Sequence, residues 1–164
     1  MLEAAVQKTP LGNLYLVATE QHLLAAGFRS FKDLFNRMDP SDLVEGFKEV
    51  RKISVISELV SDYFDGDLNS LNGIKVRQPG SKFSQDVWKV MRKIPVGKTW
   101  SYSELADRAG NEKAVRAAGT ACAKNLIAPI VPCHRVVKTG GDLGNYGYGV
   151  EVKEWLLGHE GALQ

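Results

Sequence analysis

The chain has 164 residues, 44% of them hydrophobic and 24% charged, with a formal net charge of +2. That length and apolar content suit one or two small domains sharing a sizeable core, and exclude a disordered or low-complexity protein. No uncharged apolar run approaches the roughly 20 residues of a membrane span, and no basic segment precedes an apolar one at the N-terminus. A soluble, intracellular protein with no membrane partner is therefore expected, cytoplasmic in a prokaryote and nuclear in a eukaryote.

Thr9-Pro10-Leu11-Gly12 reads as a turn, followed by a β-rich run at 13–19 and a second at 23–28 that pairs with it as a hairpin. A turn or two of helix is predicted over 31–38. A clearer helix is predicted over 50–64, where Ile53, Ile56, Val60, Tyr63 and Phe64 recur at helical spacing before Asp65-Gly66-Asp67 ends it. Pro79-Gly80 closes a boundary stretch, which divides the chain into 1–78, a small α/β scaffold, and 79–164. Ser81 caps a helix carrying Phe83, Val87, Val90, Met91 and Ile94, which Pro95 stops.

Ser101-Tyr102-Ser103-Glu104 is a capping box ahead of a helix running to Ala109. Gly110-Asn111 then turns the chain into a second helix over 112–123. Two short helices joined by a glycine-containing turn are the skeleton of a helix-turn-helix. The second is rich in small residues, with Arg116 projecting from it. By spacing alone that face suits packing against another helix; it also suits a nucleic-acid groove. A turn at 138–142, a glycine-rich loop at 144–149 and a final amphipathic helix over 151–157 complete the chain. The expected class is α/β (α+β), a small sheet-plus-helix domain followed by a mostly helical, winged-helix-like domain.

Cys133 and His134 interrupt an apolar run at 130–137. A thiol is a strong nucleophile only as thiolate, and an adjacent imidazole is one route to that state. Pro132 fixes φ before the thiol and Val136-Val137 resume a β-branched run, so Cys133 belongs at a rigid bend. The pair taken alone also fits a small buried hydrophobe beside a core histidine. The second cysteine, Cys122, lies eleven residues away, which is neither zinc-ligand spacing nor a secreted-fold framework.

Pro132-Cys133-His134-Arg135-Val136 resembles the active-site signature of the O6-alkylguanine-DNA alkyltransferases, the methylated-DNA-protein-cysteine methyltransferases. The flanks match as well: Ile94-Pro95-Val96-Gly97-Lys98, Arg116-Ala117-Ala118-Gly119, Asn125, Asn145-Tyr146-Gly147 and Lys153-Glu154-Trp155-Leu156-Leu157. The likeness runs in register over about 83–161. It implies a suicide repair transferase that moves an alkyl group from O6-alkylguanine, and from O4-alkylthymine, in double-stranded DNA to Cys133, without metal or organic cofactor. Residues 1–78 carry 9 basic and 11 acidic groups and residues 79–164 carry 12 and 8, so a polyanion would be met by the second half.

Carried over residue by residue, the resemblance makes Cys133 the acceptor, His134 its base, Glu160 the group that orients the imidazole, and Asn125 a tie between the DNA-reading helix and the active-site stretch. Arg116 fills the gap left by a flipped nucleotide, with Ala117 and Thr120 on the helix that enters the minor groove. Tyr102, Val136, Tyr146, Gly147 and Tyr148 form the substrate pocket. The protein is expected to act as a monomer, and cooperative coating of DNA is left open. Departures from the family pattern are Ala117 for a common valine, Leu126 for a common proline, and Tyr148 for a common glycine. Tyr148 predicts a narrow mouth and poor reaction with benzyl-sized adducts. Zinc ligands known in some N-terminal domains have no counterpart, since both cysteines lie in the second half. The competing readings are a lesion-binding module of the alkyltransferase-like type, which lacks the acceptor cysteine, a hydrolytic cysteine enzyme and a helix-turn-helix regulator.

Overall fold

A computed structural model describes residues 1–163. The chain forms two compact units, residues Met1–Pro79 with Leu126–Ile130, and residues Gly80–Asn125 with Val131 onward.

The first unit is built on a four-stranded sheet. Strands β1 (Leu2–Thr9) and β2 (Gly12–Ala18) form a hairpin with Ala5 opposite Leu16, and the turn between them closes at Gly12, whose φ of +98° a side chain would strain. The N-terminal strand was not foreseen from sequence. Strand β3 (Leu23–Gly27) pairs antiparallel with β2, and β4 (Phe47–Glu49) pairs parallel with β1, giving the order β3-β2-β1-β4. Helix α1 (Phe31–Arg37) begins at Ser30, whose hydroxyl accepts from the Asp33 amide at 3.0 Å. Helix α2 (Ile56–Phe64) starts six residues later than its apolar spacing predicts. Val55 sits at φ +65° and breaks the helical path, while the Ile53 amide donates to the Ser57 hydroxyl at 2.9 Å. Ile53 is still buried, so its spacing reported burial rather than helix.

The outer edge of β3 is covered twice. Leu23 bridges to Val76, and Ala26 bridges to Ile127, with the Ala26 amide donating to the Leu126 carbonyl and the Ala128 amide to the Ala26 carbonyl. The Gln78 side chain accepts from the Leu126 amide at 2.8 Å. Residues 126–130, which the sequence assigns to the second half, thus belong to the first unit: an apolar buried run finds its backbone partners at an open sheet edge.

In the second unit, helix α3 (Lys82–Met91) is capped by Ser81, which accepts from the Ser84 amide at 3.1 Å. It ends three residues before Ile94, which stays buried in the following turn. Strand β5 (Trp100–Ser101) leads into α4 (Tyr102–Arg108) through a complete capping box between Ser101 and Glu104. Helix α5 (Val115–Lys124) starts at Val115 rather than at 112, because the Asn111 side chain accepts from the Lys113 amide and holds a turn there. The indole of Trp88 on α3 donates to the Ala121 carbonyl on α5 at 2.9 Å. Strand β6 (Val136–Val137) pairs parallel with β5, and α6 (Val150–His159) closes the unit. Helix α6 is not simply amphipathic, since Lys153 is buried along with Leu156 and Leu157. Among the described residues no helix is long and apolar enough to cross a membrane, and no cluster of His, Cys, Asp or Glu has metal-site geometry.

Candidate active site

The chain leaves α5 at Asn125 and rejoins the second unit at Val131. The amide nitrogen of Asn125 spans this interval, donating to the Val131 carbonyl at 2.8 Å and to the Cys133 sulfur at 3.3 Å. Pro132 then directs the chain into a single 3-10 turn, Cys133–Arg135, so the thiol stands at the start of a rigid bend. Cys133 is half-buried in a stretch whose neighbours are buried.

Behind the thiol lies a buried ion network. His134 has no exposed surface, and its Nε2 meets Glu160 Oε2 at 2.9 Å. Arg135 donates from Nε to Glu160 Oε1 at 2.7 Å and from Nη2 to Oε2 at 3.0 Å, while Nη1 donates to the Ile94 carbonyl at 2.9 Å. Burial raises the Glu160 pKa, but hydrogen bonds from His134 and Arg135 outweigh it and hold the carboxyl far below the usual range. Burial lowers the His134 pKa against the pull of Glu160, so the imidazole is neutral near pH 7. With Nε2 engaged by the carboxylate, Nδ1 is left buried with no hydrogen-bond partner among the described residues. That nitrogen carries the lone pair if Nε2 bears the proton.

Cys133 opens into a cavity of about 620 Å³ lined by Tyr102, Arg116, Gly119, Thr120, Cys122, Tyr146 and Gly147 among others, within the size range of small-molecule sites. Burial, together with the two cysteine sulfurs, pushes the Tyr102 hydroxyl up to about 12, so it keeps its proton and can donate. Burial pushes the Cys122 thiol well above its ordinary value, which makes it a poor nucleophile although it faces the same space. A larger concavity of about 740 Å³ in the first unit, lined by Glu20, His22, Asp42 and Arg77 among others, has no cysteine in its lining.

Of the residues singled out from sequence, the structure brings together Cys133, Asn125, His134 and Glu160 by direct bonds, and Tyr102, Arg116, Thr120, Tyr146 and Gly147 around the cavity. Three lie outside the lining. Ala117 is exposed on α5, Val136 is buried in β6 with its carbonyl accepting from Lys153, and Tyr148 packs edge-on behind Tyr146 with ring centroids 5.8 Å apart. Sequence reasoning missed the roles of Arg135 and Lys153. Each stands inside a matched motif, but a cation in a sequence reads as a solvated charge until its burial is known.

The family model for the 6-O-methylguanine DNA methyltransferase, DNA binding domain, matches residues 82–162. The chain is 35% identical over 159 residues to the Methylated-DNA--protein-cysteine methyltransferase of Shigella flexneri, covering 94% of this chain and 93% of that protein. It is 37% identical over 158 residues to the protein of the same name from Methanosarcina acetivorans, covering 96% and 97%. Among solved structures it is similar to Mycobacterium tuberculosis OGT in complex with DNA, at 30% identity and a TM-score of 0.79, covering 98% and 93%.

Proposed function

The chain belongs to the 6-O-methylguanine DNA methyltransferase family, and on that footing we propose that it repairs DNA by transferring the alkyl group of O6-alkylguanine irreversibly to Cys133. The observation that carries this reading is the Cys133 sulfur opening into a cavity with room for a nucleobase while held by Asn125 and backed by the His134–Glu160 pair.

In the proposed reaction the lesion is flipped out of the duplex, since the alkyl carbon is out of reach inside it. The helix-turn-helix formed by α4 and α5 binds through the minor groove, and Arg116 enters the stack in place of the extruded base. The Cys133 proton passes to Nδ1 of His134, directly or through water, and Glu160 balances the charge that appears on the imidazole. The sulfur attacks the alkyl carbon in line, the carbon–O6 bond breaks, and its electron pair stays with the guanine. The Tyr102 hydroxyl passes a proton to the departing ring and recovers one from the His134 imidazolium through water, so guanine leaves neutral and His134 and Tyr102 end as they began. The product thioether has no hydrolytic exit, so one monomer acts once. O4-alkylthymine, a smaller base bearing the same kind of ether, is a second substrate.

Intact-mass measurement after exposure to an O6-methylguanine duplex tests this. One methyl per chain is expected, located on Cys133, and Cys133→Ala should take up none while still binding the duplex. A wild-type chain left unmodified by excess lesion would return the protein to the lesion-binding class.

A further inference from the structure

The cavity at Cys133 is charged in one sense only. Among the described residues that line it are two cations, Arg116 and Lys138, and no carboxylate. In the proposed reaction Arg116 leaves for the duplex stack, so Lys138 is the cation that stays beside the flipped base. Nothing in the transfer step described above uses it.

Lys138 follows β6, the strand that leaves the Cys133 turn. Its backbone is pinned twice: the amide donates to the Asp142 carbonyl at 2.8 Å, and the carbonyl accepts from the Gly141 amide at 3.0 Å. From that fixed root a flexible four-carbon stem carries the ammonium. The residue is exposed, and among the described residues its ammonium pairs with no carboxylate, since Asp142 meets it through backbone alone. The stem passes Gly144, where an added Cβ would lie 3.4 Å from Lys138 Cγ and 3.6 Å from the Tyr102 hydroxyl oxygen. With glycine there, no side chain of that residue fills the space beside the lysine stem and the tyrosine hydroxyl. The charge of the attacking sulfur gives this placement a use. A substituent ending in a carboxylate is repelled as it nears a thiolate, whereas a neutral one of the same shape is not. An ammonium in the same cavity offsets that repulsion, the more so once the bound base has displaced water.

We propose that Lys138 is a specificity-determining residue, its ammonium donating to the carboxylate of an O6 substituent that ends in one and so favouring anionic adducts over neutral adducts of the same size. The inference rests on the reading of Cys133 as acceptor and deepens it by naming the substituent chemistry that this wall selects. The step keeps its balance: the sulfur bonds to the methylene carbon, the carbon–O6 bond breaks with its electron pair staying on the guanine, and the carboxylate keeps its charge throughout.

The test measures single-turnover transfer from two duplexes of one sequence, carrying O6-carboxymethylguanine or O6-carbamoylmethylguanine, which differ in charge and hardly in shape. The ratio of the two rates cancels whatever Lys138 contributes to duplex affinity or to folding. Lys138→Met should lower the carboxymethyl-to-carbamoylmethyl ratio about tenfold, the scale of one hydrogen bond to a charged group. Lys138→Glu should lower it further, and Lys138→Arg, which keeps the charge, should retain it. An unmoved ratio in Lys138→Met overturns the inference even if both rates fall, because a lysine that only held a DNA phosphate would slow the two duplexes alike. If the wild type takes up neither group, nor a methyl from an O6-methylguanine duplex, it is the acceptor reading that fails; if it takes them up and the ratio stays put in Lys138→Met, only this inference falls.

Discussion

Glu160 is a carboxylate serving two buried partners at once, the imidazole of His134 and the guanidinium of Arg135, and this sets how acid acts on the fold. The His134 pKa is held below its ordinary 6.5, so the unfolded chain takes a proton that the folded one refuses and stability falls as pH drops below 6.5. The Glu160 pKa is held below its ordinary 4.5; its contribution is complete above that value and is lost as pH falls toward the folded one. Urea-unfolding midpoints should therefore decline in two stages on acidification. Glu160→Gln should lose roughly 3–5 kcal/mol at pH 7, the scale of stranding a buried charge, and should flatten the lower stage. Cys133 and His134 were legible because their adjacent residue types announce proton and sulfur chemistry, whereas Glu160 was reached only through the family resemblance, since a carboxylate there otherwise reads as a solvated charge. Arg135 and Lys153 were not legible, because nothing in a sequence distinguishes a buried cation held by carbonyls or one carboxylate from a solvated one.

Helix α5 and the loop before α6 form much of the cavity wall, and here apolar spacing was an incomplete guide. It located α5 but set its start three residues early, since the Asn111 side chain competes for the backbone that would have begun the helix. It gave α2 a start that Val55, at positive φ, does not allow. The loop was read as a wall from its glycines, and Tyr146 and Gly147 do line the cavity, yet Tyr148 acts one layer back, as a brace against the Tyr146 ring. That position alters the expected route to selectivity without altering its direction. Removing the brace with Tyr148→Gly should loosen Tyr146 and raise transfer from O6-benzylguanine relative to O6-methylguanine by several-fold. Competition between the two substrates, read by mass spectrometry, measures the ratio; an unchanged ratio would show that Tyr146 holds its place unaided.

Across the whole molecule the telling feature is that the chain departs the second unit for five residues, Leu126–Ile130, and returns to present Cys133. No shift of composition marks this excursion, which is why the sequence was divided as a simple halving near Pro79. Ile127→Ala should cost roughly 2–5 kcal/mol, as for other fully buried isoleucines, and should also slow alkyl transfer, because the excursion begins and ends at the two residues joined by the Asn125–Val131 bond. Ile53→Ala, equally buried in the first unit, should cost comparable stability and leave the transfer rate alone. Denaturation curves paired with single-turnover rates separate the two effects. The same asparagine carries a further consequence. Its amide nitrogen stands 3.3 Å from the Cys133 sulfur, and a methyl group added to that sulfur must find room in a half-buried bend, so the spent chain is overpacked there at a cost of roughly 1–3 kcal/mol. A used copy should melt several degrees below a fresh one, which would make heat tolerance a gauge of how much damage a population of these molecules has met.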